Sequence, residues 1–325
     1  MRQRVLSGMR PTGPLHLGHL VGALKNWVDL QEKYDCFFMV ADWHALMSEY
    51  EKPADLRRNS LRMVSDWIAA GVDPKRSVIF RQSDVPEHLE LYMVLSILAP
   101  LGWVERVPTY KEQLREVKGR DLATYGFLGY PVLQAADILL YKADAVPVGE
   151  DQIPHLELTR EIVRRFKFLY SKDFFPEPKP LLTQESRLMG ADGRKMSKSY
   201  DNFIALSEEP DVIRKKVKMM VTDTKRIKMI DPGHPEECNT CHYWEVFAPE
   251  EKARVWEECR TSKRGCTQNK QELAEKIVTL TEPFRKEKQA LPDAEVEKLL
   301  AQGAVRAREV AGQTMREVKQ AVGLS

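Results

Sequence analysis

The stretch Arg10-Pro-Thr-Gly-Pro-Leu-His-Leu-Gly-His-Leu-Val-Gly-Ala23 joins two different periodicities. Ahead of it, Arg4-Val5-Leu6 is a short β-like run. Behind it, Leu20, Leu24, Trp27 and Val28 recur at helical spacing. Gly8, Pro11, Gly13 and Pro14 therefore mark a tight turn from a strand into a helix. Gly18 falls near the first turn of that helix, where a missing Cβ admits another backbone or a flat ligand. The opening N–H groups of a helix favour anions, phosphate above all. His16 and His19 flank Gly18 with imidazoles able to donate to phosphate oxygens. Taken alone, the same turn is also compatible with two ordinary surface histidines.

Working outward, Cys36 to Ala41 reads as a second strand that ends in Asp42-Trp43-His44. A helical pattern over 54–70, a short β run from Ser77 and a helix near 87–99 follow. Such alternation predicts an α/β fold with a parallel sheet and helical crossovers, whose ligands sit at the carboxyl ends of the strands. The segment 103–120 is polar and largely helical in pattern, with Lys111 near its middle, where a solvated lysine is the plain reading.

The apolar run from Tyr125 to Tyr141 embeds Asp137 between two alanines and Ile138-Leu-Leu140. A carboxylate buried there is costly unless a donor meets it. It accepts either from a neighbouring core group or from a substrate N–H or O–H. Tyr130, Gln134, Asp137 and Tyr141 lie about one helical turn apart and can share a face. Val146-Pro-Val-Gly149-Glu150-Asp151-Gln152 then reads as a strand ending in a Gly-acidic turn ahead of the helix from His155 to Phe166. Gly149 suits a close approach to an adenosine. An acidic first turn also simply complements a helix dipole.

After the Pro-rich stretch 176–180 comes Gly190-Ala-Asp-Gly-Arg-Lys-Met-Ser-Lys-Ser199, a Gly-punctuated basic loop that places Lys195 and Lys198 on one short arch. Beyond it the pattern is helical at about 207–221, 249–261, 268–290, 293–302 and 304–322. The last of these carries Arg306, Arg308, Arg316 and Lys319, a basic face that is either solvated or meets an RNA backbone. The expected division is 1–190 for the catalytic unit and 191–325 for the lysine loop with a helical domain.

The chain has 325 residues, enough for one large or two medium domains with ample core. Its 43% hydrophobic and 30% charged composition is ordinary for a soluble globular protein. A net charge of +2 means that nucleic-acid contact must come from local basic patches. No apolar run reaches the length of a membrane span and none at the amino terminus suits a signal peptide, so cytoplasmic is the expected location. Cys36 reads as a buried small hydrophobe, whereas Cys238, Cys241, Cys259 and Cys266 cluster within a short stretch and suggest metal more than disulfides.

His16-Leu-Gly-His19 and Lys195-Met-Ser-Lys-Ser199 together resemble the two nucleotide motifs of class I aminoacyl-tRNA synthetases. Further stretches extend the resemblance to the bacterial tryptophanyl-tRNA synthetases over most of the chain: Ser7-Gly-Met-Arg-Pro-Thr-Gly13, Ala41-Asp-Trp-His-Ala45, Tyr130-Pro-Val-Leu-Gln-Ala-Ala-Asp-Ile-Leu139, Val146-Pro-Val-Gly-Glu-Asp-Gln152 and His155-Leu-Glu-Leu-Thr-Arg-Glu161. That family implies a Rossmann-type catalytic domain, an α-helical anticodon-binding domain and a homodimer. It implies that tryptophan and MgATP form tryptophanyl-adenylate and pyrophosphate, after which tryptophan moves to tRNA(Trp).

By the same resemblance, Arg10, Pro11, Thr12, Gly18 and His19 hold ATP, with Gly149, Glu150 and Asp151 near the ribose and Leu188 against the base. Lys195, Met196, Ser197, Lys198 and Ser199 form the mobile loop and bind ATP as well. Its two lysines, with Lys111, neutralise the departing pyrophosphate, and His16 and His19 complete the catalytic set. Asp137 accepts the indole N–H, with Leu6, Tyr130, Gln134, Ile138, Val146, Val148 and Gln152 around it. Gln134 departs from many members, which have methionine there. The four cysteines resemble a set that binds a four-iron four-sulfur cluster in some members, but Asn269 stands where that pattern has its last cysteine. Cys241 is the available substitute, four-thiolate zinc the competing metal and free thiols the remaining reading. A tyrosyl-tRNA synthetase and a catalytically inactive tRNA-binding paralogue are the alternatives.

Overall fold

The computed structural model describes residues 2–51, 53–108, 110–111, 122–182 and 188–324. Five parallel strands form one sheet in the order β3-β2-β1-β4-β5: β1 Arg4–Met9, β2 Asp35–Val40, β3 Val78–Arg81, β4 Ala145–Val148 and β5 Lys179–Leu182. The chain reverses its direction of travel across the sheet at β1, whose neighbours are β2 and β4. The carboxyl ends of β1 and β4 thus border the crevice where such sheets bind ligands. The α/β parallel-sheet expectation is met.

Residue alternation explains why both faces are covered. Val5, Cys36, Phe38 and Val40 point into one apolar cluster, while Leu6, Phe37 and Met39 point into the other. Because β2 is buried on both faces, it reads as an unbroken hydrophobic run. On the first face lie α1 (Lys25–Lys33) and α3 (Leu56–Ala69). Trp27 stacks on Phe38 with ring centroids 4.3 Å apart and meets Trp67 edge-on at 4.9 Å. Its indole N–H donates to Ser7 Oγ at 3.1 Å, so burial of the ring leaves no orphan donor. Between β2 and α3 runs α2 (Asp42–Glu49). The second face carries α4 (Glu87–Leu98), α5 (Tyr130–Leu140) and α6 (Ile153–Tyr170).

The later helices are α7 (Pro210–Met219), α8 (Asn239–Phe247), α9 (Pro249–Arg260), α10 (Cys266–Leu280), α11 (Glu282–Ala290) and α12 (Asp293–Val322). Five details differ from the sequence expectation. The Pro-rich stretch 176–180 runs into a strand, β5, where Pro180 is tolerated because β5 is an edge strand. Neither α2 nor α8 is among the expected helices. The helix expected over 268–290 breaks at Thr281, since Pro283 cannot continue the hydrogen-bond ladder. The two helices expected over 293–302 and 304–322 are one, and Gly303 lies inside it as a packing device. A Cβ there would sit 1.7 Å from the Ile79 carbonyl oxygen, so glycine lets α12 lie directly on β3. α12 thereby returns to the sheet, contributing Ala304, Ala307, Ala311 and Met315 to the second face. Within 103–120, a helix spans Leu101–Glu105, while 112–121 lie outside the described residues. No described helix is long and apolar enough to cross a membrane.

Candidate active site

Two cavities open at the carboxyl ends of the strands. The first, of about 310 Å³, is lined by all eight residues expected around the amino acid: Leu6, Tyr130, Gln134, Asp137, Ile138, Val146, Val148 and Gln152. Arg10, exposed just past the end of β1, also lines it. The sequence reading missed His44 and His155, together with Met39, Met47 and Phe127.

Asp137 is 2% exposed and carries three hydrogen bonds. His44 Nε2 donates to Oδ2 at 2.7 Å, while Gln82 Nε2 and His88 Nδ1 donate to Oδ1 at 2.7 and 2.6 Å. Burial alone would raise its pKa. The hydrogen bonds and charge of the two histidines outweigh burial and hold the carboxyl below its ordinary value, so it is ionised and purely an acceptor. His88, which donates through Nδ1, sets its Nε2 2.8 Å from the Tyr141 hydroxyl. Tyr141 thus stands behind the carboxylate. Also lining the cavity, the Tyr130 hydroxyl meets His155 Nε2 at 2.9 Å. Burial lowers the His155 pKa to about 4, so that imidazole is neutral.

The second cavity, of about 420 Å³, gathers Thr12, His16, Gly18 and His19 with Leu188, Lys195, Met196, Ser197 and Lys198. The two motifs meet there because backbone bonds splice their flanks. Leu206 N–H donates to the Leu15 carbonyl at 2.9 Å and Leu17 N–H to the Ile204 carbonyl at 3.1 Å. Leu17–His19 begins the helical stretch, a wide turn follows over Leu20–Leu24, and α1 continues from it. His16 packs against His19 at 3.8 Å between ring centroids. A Cβ on Gly18 would lie 3.0 Å from the His16 ring, so the group Gly18 admits is this imidazole. Burial, then the charge of Lys198, lowers His16 to about 4, and burial with His16 and Lys198 lowers His19 well below its ordinary value. Both act as neutral hydrogen-bond partners.

The lysine loop is braced by buried Asn202, which the sequence reading missed. Its Oδ1 accepts from Ser197 N–H at 2.8 Å, and its Nδ2 donates to Asp192 Oδ1 at 2.7 Å and to the Lys195 carbonyl at 3.1 Å. Lys198 Nζ donates to the Gly13 carbonyl at 3.1 Å, and burial, then Arg10, lowers its pKa to about 8. Lys195 is exposed. Ser199 lies in the turn Lys198–Tyr200. Pro11 is buried beside the cavity without lining it. Gly149, Glu150 and Asp151 fall at the end of β4 and line neither cavity, and neither does exposed Lys111.

The cysteines lie elsewhere. Cys238, Cys241 and Cys259 form a buried cluster, and Cys266 begins α10, half-buried. Asn269 donates to Thr240 Oγ1 at 3.1 Å and to Cys241 Sγ at 3.8 Å, so it belongs to the same knot. Among the described residues no set of three or more His, Cys, Asp or Glu side chains is arranged to hold a metal ion, and nothing here supports the expected iron–sulfur cluster or zinc.

The family described as "tRNA synthetases class I (W and Y)" matches residues 1–282. A tryptophan–tRNA ligase of Thermotoga maritima is 48% identical over 328 residues, covering 99% of both chains. One of Ralstonia nicotianae is 41% identical, again covering 99% of both. The crystal structure of the tryptophanyl-tRNA synthetase of Campylobacter jejuni, complexed with ADP and tryptophan, superposes with a TM-score of 0.91 at 34% identity, covering 99% of this chain and 100% of that one. The chain belongs to the class I tRNA synthetases for tryptophan and tyrosine, and within them to the tryptophan–tRNA ligases.

Proposed function

We propose that the first cavity holds L-tryptophan and the second MgATP, and that the protein forms tryptophanyl-adenylate with release of pyrophosphate, then charges tRNA(Trp). The observation that carries this reading is the ionised Asp137 carboxylate at the wall of an apolar cavity, where it can accept an indole N–H. Phenylalanine offers no donor there and leaves a buried acceptor unmet. Attack of the tryptophan carboxylate on the α-phosphate needs charge stabilisation and positioning, with little proton chemistry. Neutral His16 and His19 donate to phosphate oxygens. Lys195 and Lys198 carry the positive charge that meets the departing pyrophosphate, Lys111 joins them, and Arg10 lines the first cavity.

We assign Pro11, Thr12, Gly149, Glu150, Asp151 and Leu188 to the nucleotide's surroundings on the same reading. Residues 191–325 carry the lysine loop and the helices that meet the tRNA, with α12 as the part of that stretch packed on the sheet. Exposed Met93 and Ile97, four residues apart on α4, and Leu101 beyond it supply an apolar face for a second copy, which supports a homodimer. A cytoplasmic location fits this activity. The test is charging of tRNA(Trp) with labelled tryptophan, with tyrosine in parallel. Charging with tryptophan alone is expected, and charging with tyrosine would move the protein to the alternative specificity.

A further inference from the structure

The two oxygens of Asp137 are not equivalent. Oδ1 accepts from Gln82 Nε2 at 2.7 Å and from His88 Nδ1 at 2.6 Å, whereas among the described residues Oδ2 accepts only from His44 Nε2, at 2.7 Å. A carboxylate oxygen offers two lone-pair sites. Oδ1 is therefore filled, and the acceptor site that is left belongs to Oδ2. His44 lines the first cavity, while Gln82 and His88 are fully buried and line neither cavity. The open acceptor site thus lies on the same oxygen as the one donor that reaches the cavity.

The hidden pair is itself anchored. Gln82 directly follows β3 and His88 falls in the first turn of α4, so both come from one short connection. Ser83 ties that connection to the start of α2: its N–H donates to Asp42 Oδ1 at 3.0 Å and its hydroxyl to Asp42 Oδ2. His44 stands two residues beyond Asp42, so this tie fixes the donors to Oδ1 relative to the donor to Oδ2. Behind them the His88 ring lies against Phe80, with centroids 6.0 Å apart, and its Nε2 is 2.8 Å from the Tyr141 hydroxyl. Gln82 Oε1 is buried with no hydrogen-bond partner among the described residues, so this side chain's bond is the one to Asp137. An unpaired buried acceptor costs stability, and an apolar side chain would serve the fold better at that position.

We propose that Gln82 and His88 are positioning residues for amino-acid specificity: they fill Oδ1 of Asp137 and so present Oδ2 to the cavity as the acceptor for an indole N–H. This rests on the reading of the first cavity as the tryptophan site. Neither residue touches the substrate. Without them the carboxyl group is free to turn about its Cβ–Cγ bond, and the indole N–H meets an acceptor that must be ordered on binding.

The test is exchange of labelled pyrophosphate into ATP by the full chain, driven by tryptophan or by benzothienylalanine, in which sulfur replaces the indole N–H. The wild type should prefer tryptophan in kcat/KM. His88→Leu and Gln82→Met each remove one donor to Oδ1. Each should raise KM for tryptophan about tenfold and shrink that preference by a like factor, the size of one charge-assisted hydrogen bond, with KM for ATP within about twofold. His88→Asn, whose amide can donate from the place of Nδ1, should recover most of the preference lost in His88→Leu. A residue that only braced the fold would lower activity with both amino acids alike and leave their ratio unchanged. If His88→Leu fails to fold, Gln82→Met carries the same comparison. Folded variants that keep the wild-type preference would overturn the positioning role. Wild-type protein that uses both amino acids equally would overturn Asp137 as the indole reader, and absence of exchange in folded wild-type protein would overturn the tryptophan-site reading itself.

Discussion

Lys198 Nζ donates to the carbonyl of Gly13 at 3.1 Å, across 185 residues of chain. The contact closes the arch of the lysine loop onto the turn that carries His16. A backbone carbonyl takes the ammonium here, and on the proposed reading this contact is exchanged for phosphate oxygens when ATP binds. A carbonyl is a weaker partner than a phosphate, so the exchange favours the nucleotide.

Lys198 sets an upper pH limit on catalysis. Burial lowers its pKa to about 8, so the free protein loses this charge as the pH rises through that value. KM for ATP in pyrophosphate exchange should rise above about pH 8. Lys198→Met should lower kcat about 100-fold, the size of one missing charge-stabilising donor. Wild-type kinetics that stay flat to pH 9.5 (roughly a pH unit and a half past the titration) would contradict this assignment.

Asp137 should separate amino-acid binding from nucleotide binding. Asp137→Ala leaves His44, Gln82 and His88 without their shared acceptor. The expected cost is about 3 kcal/mol of stability, with a KM for tryptophan raised about 100-fold and KM for ATP little changed. Equal changes in both Michaelis constants would show that Asp137 only holds the fold.

Gly303 offers a test of the fold itself. Because a Cβ at this position would lie 1.7 Å from the Ile79 carbonyl oxygen, Gly303→Ala must push α12 away from β3. Helix propensity alone would favour alanine by about 1 kcal/mol, so the sign of the effect is diagnostic. We expect a destabilisation of about 3 kcal/mol by urea denaturation, from overpacking. A stabilised variant would mean that α12 does not press on the sheet.

Acid should destabilise the protein before its carboxylates titrate. His16 and His155 both have folded pKa values lowered to about 4 from 6.5. The unfolded chain therefore binds protons first. Stability is full above about pH 6.5 and falls as the pH drops toward 4, by up to about 3 kcal/mol for each imidazole. Asp66 acts in the opposite sense, since its folded pKa of about 7 exceeds its ordinary 3.8 and its protonation favours the fold. Urea midpoints measured across this window should fall with pH, more steeply in Asp66→Asn and less so in His155→Gln. Midpoints independent of pH would contradict the buried, neutral state of both histidines.

How much of this was legible follows from which interactions are local. β1, β2, α3 and the turn before His16 announce themselves because periodicity and turn residues act within a dozen positions. The eight residues around the first cavity and most of those around the second were named from motifs, and the fold brings them together. His44, Gln82 and His88 were missed because what selects them is a hydrogen bond to Asp137 from 49 to 93 residues away. A buried carboxylate announces that donors must exist without saying where they are. Asn202 was missed for the same reason. Gly303 misled in the other direction, since a helix breaker and a site of close backbone approach look alike until the neighbouring strand is known. The cysteine spacing suggests a metal; the fold brings Cys238, Cys241 and Cys259 into one buried knot with Asn269, and no metal-holding set is found among the described residues.

The most direct measurement is exchange of labelled pyrophosphate into ATP with purified protein, using tryptophan and tyrosine as alternative amino acids. The account predicts exchange with tryptophan, lost in Asp137→Ala at the tryptophan concentration that saturates the wild type, and none with tyrosine. Exchange driven by tyrosine, or no exchange with either amino acid in folded protein, would contradict it.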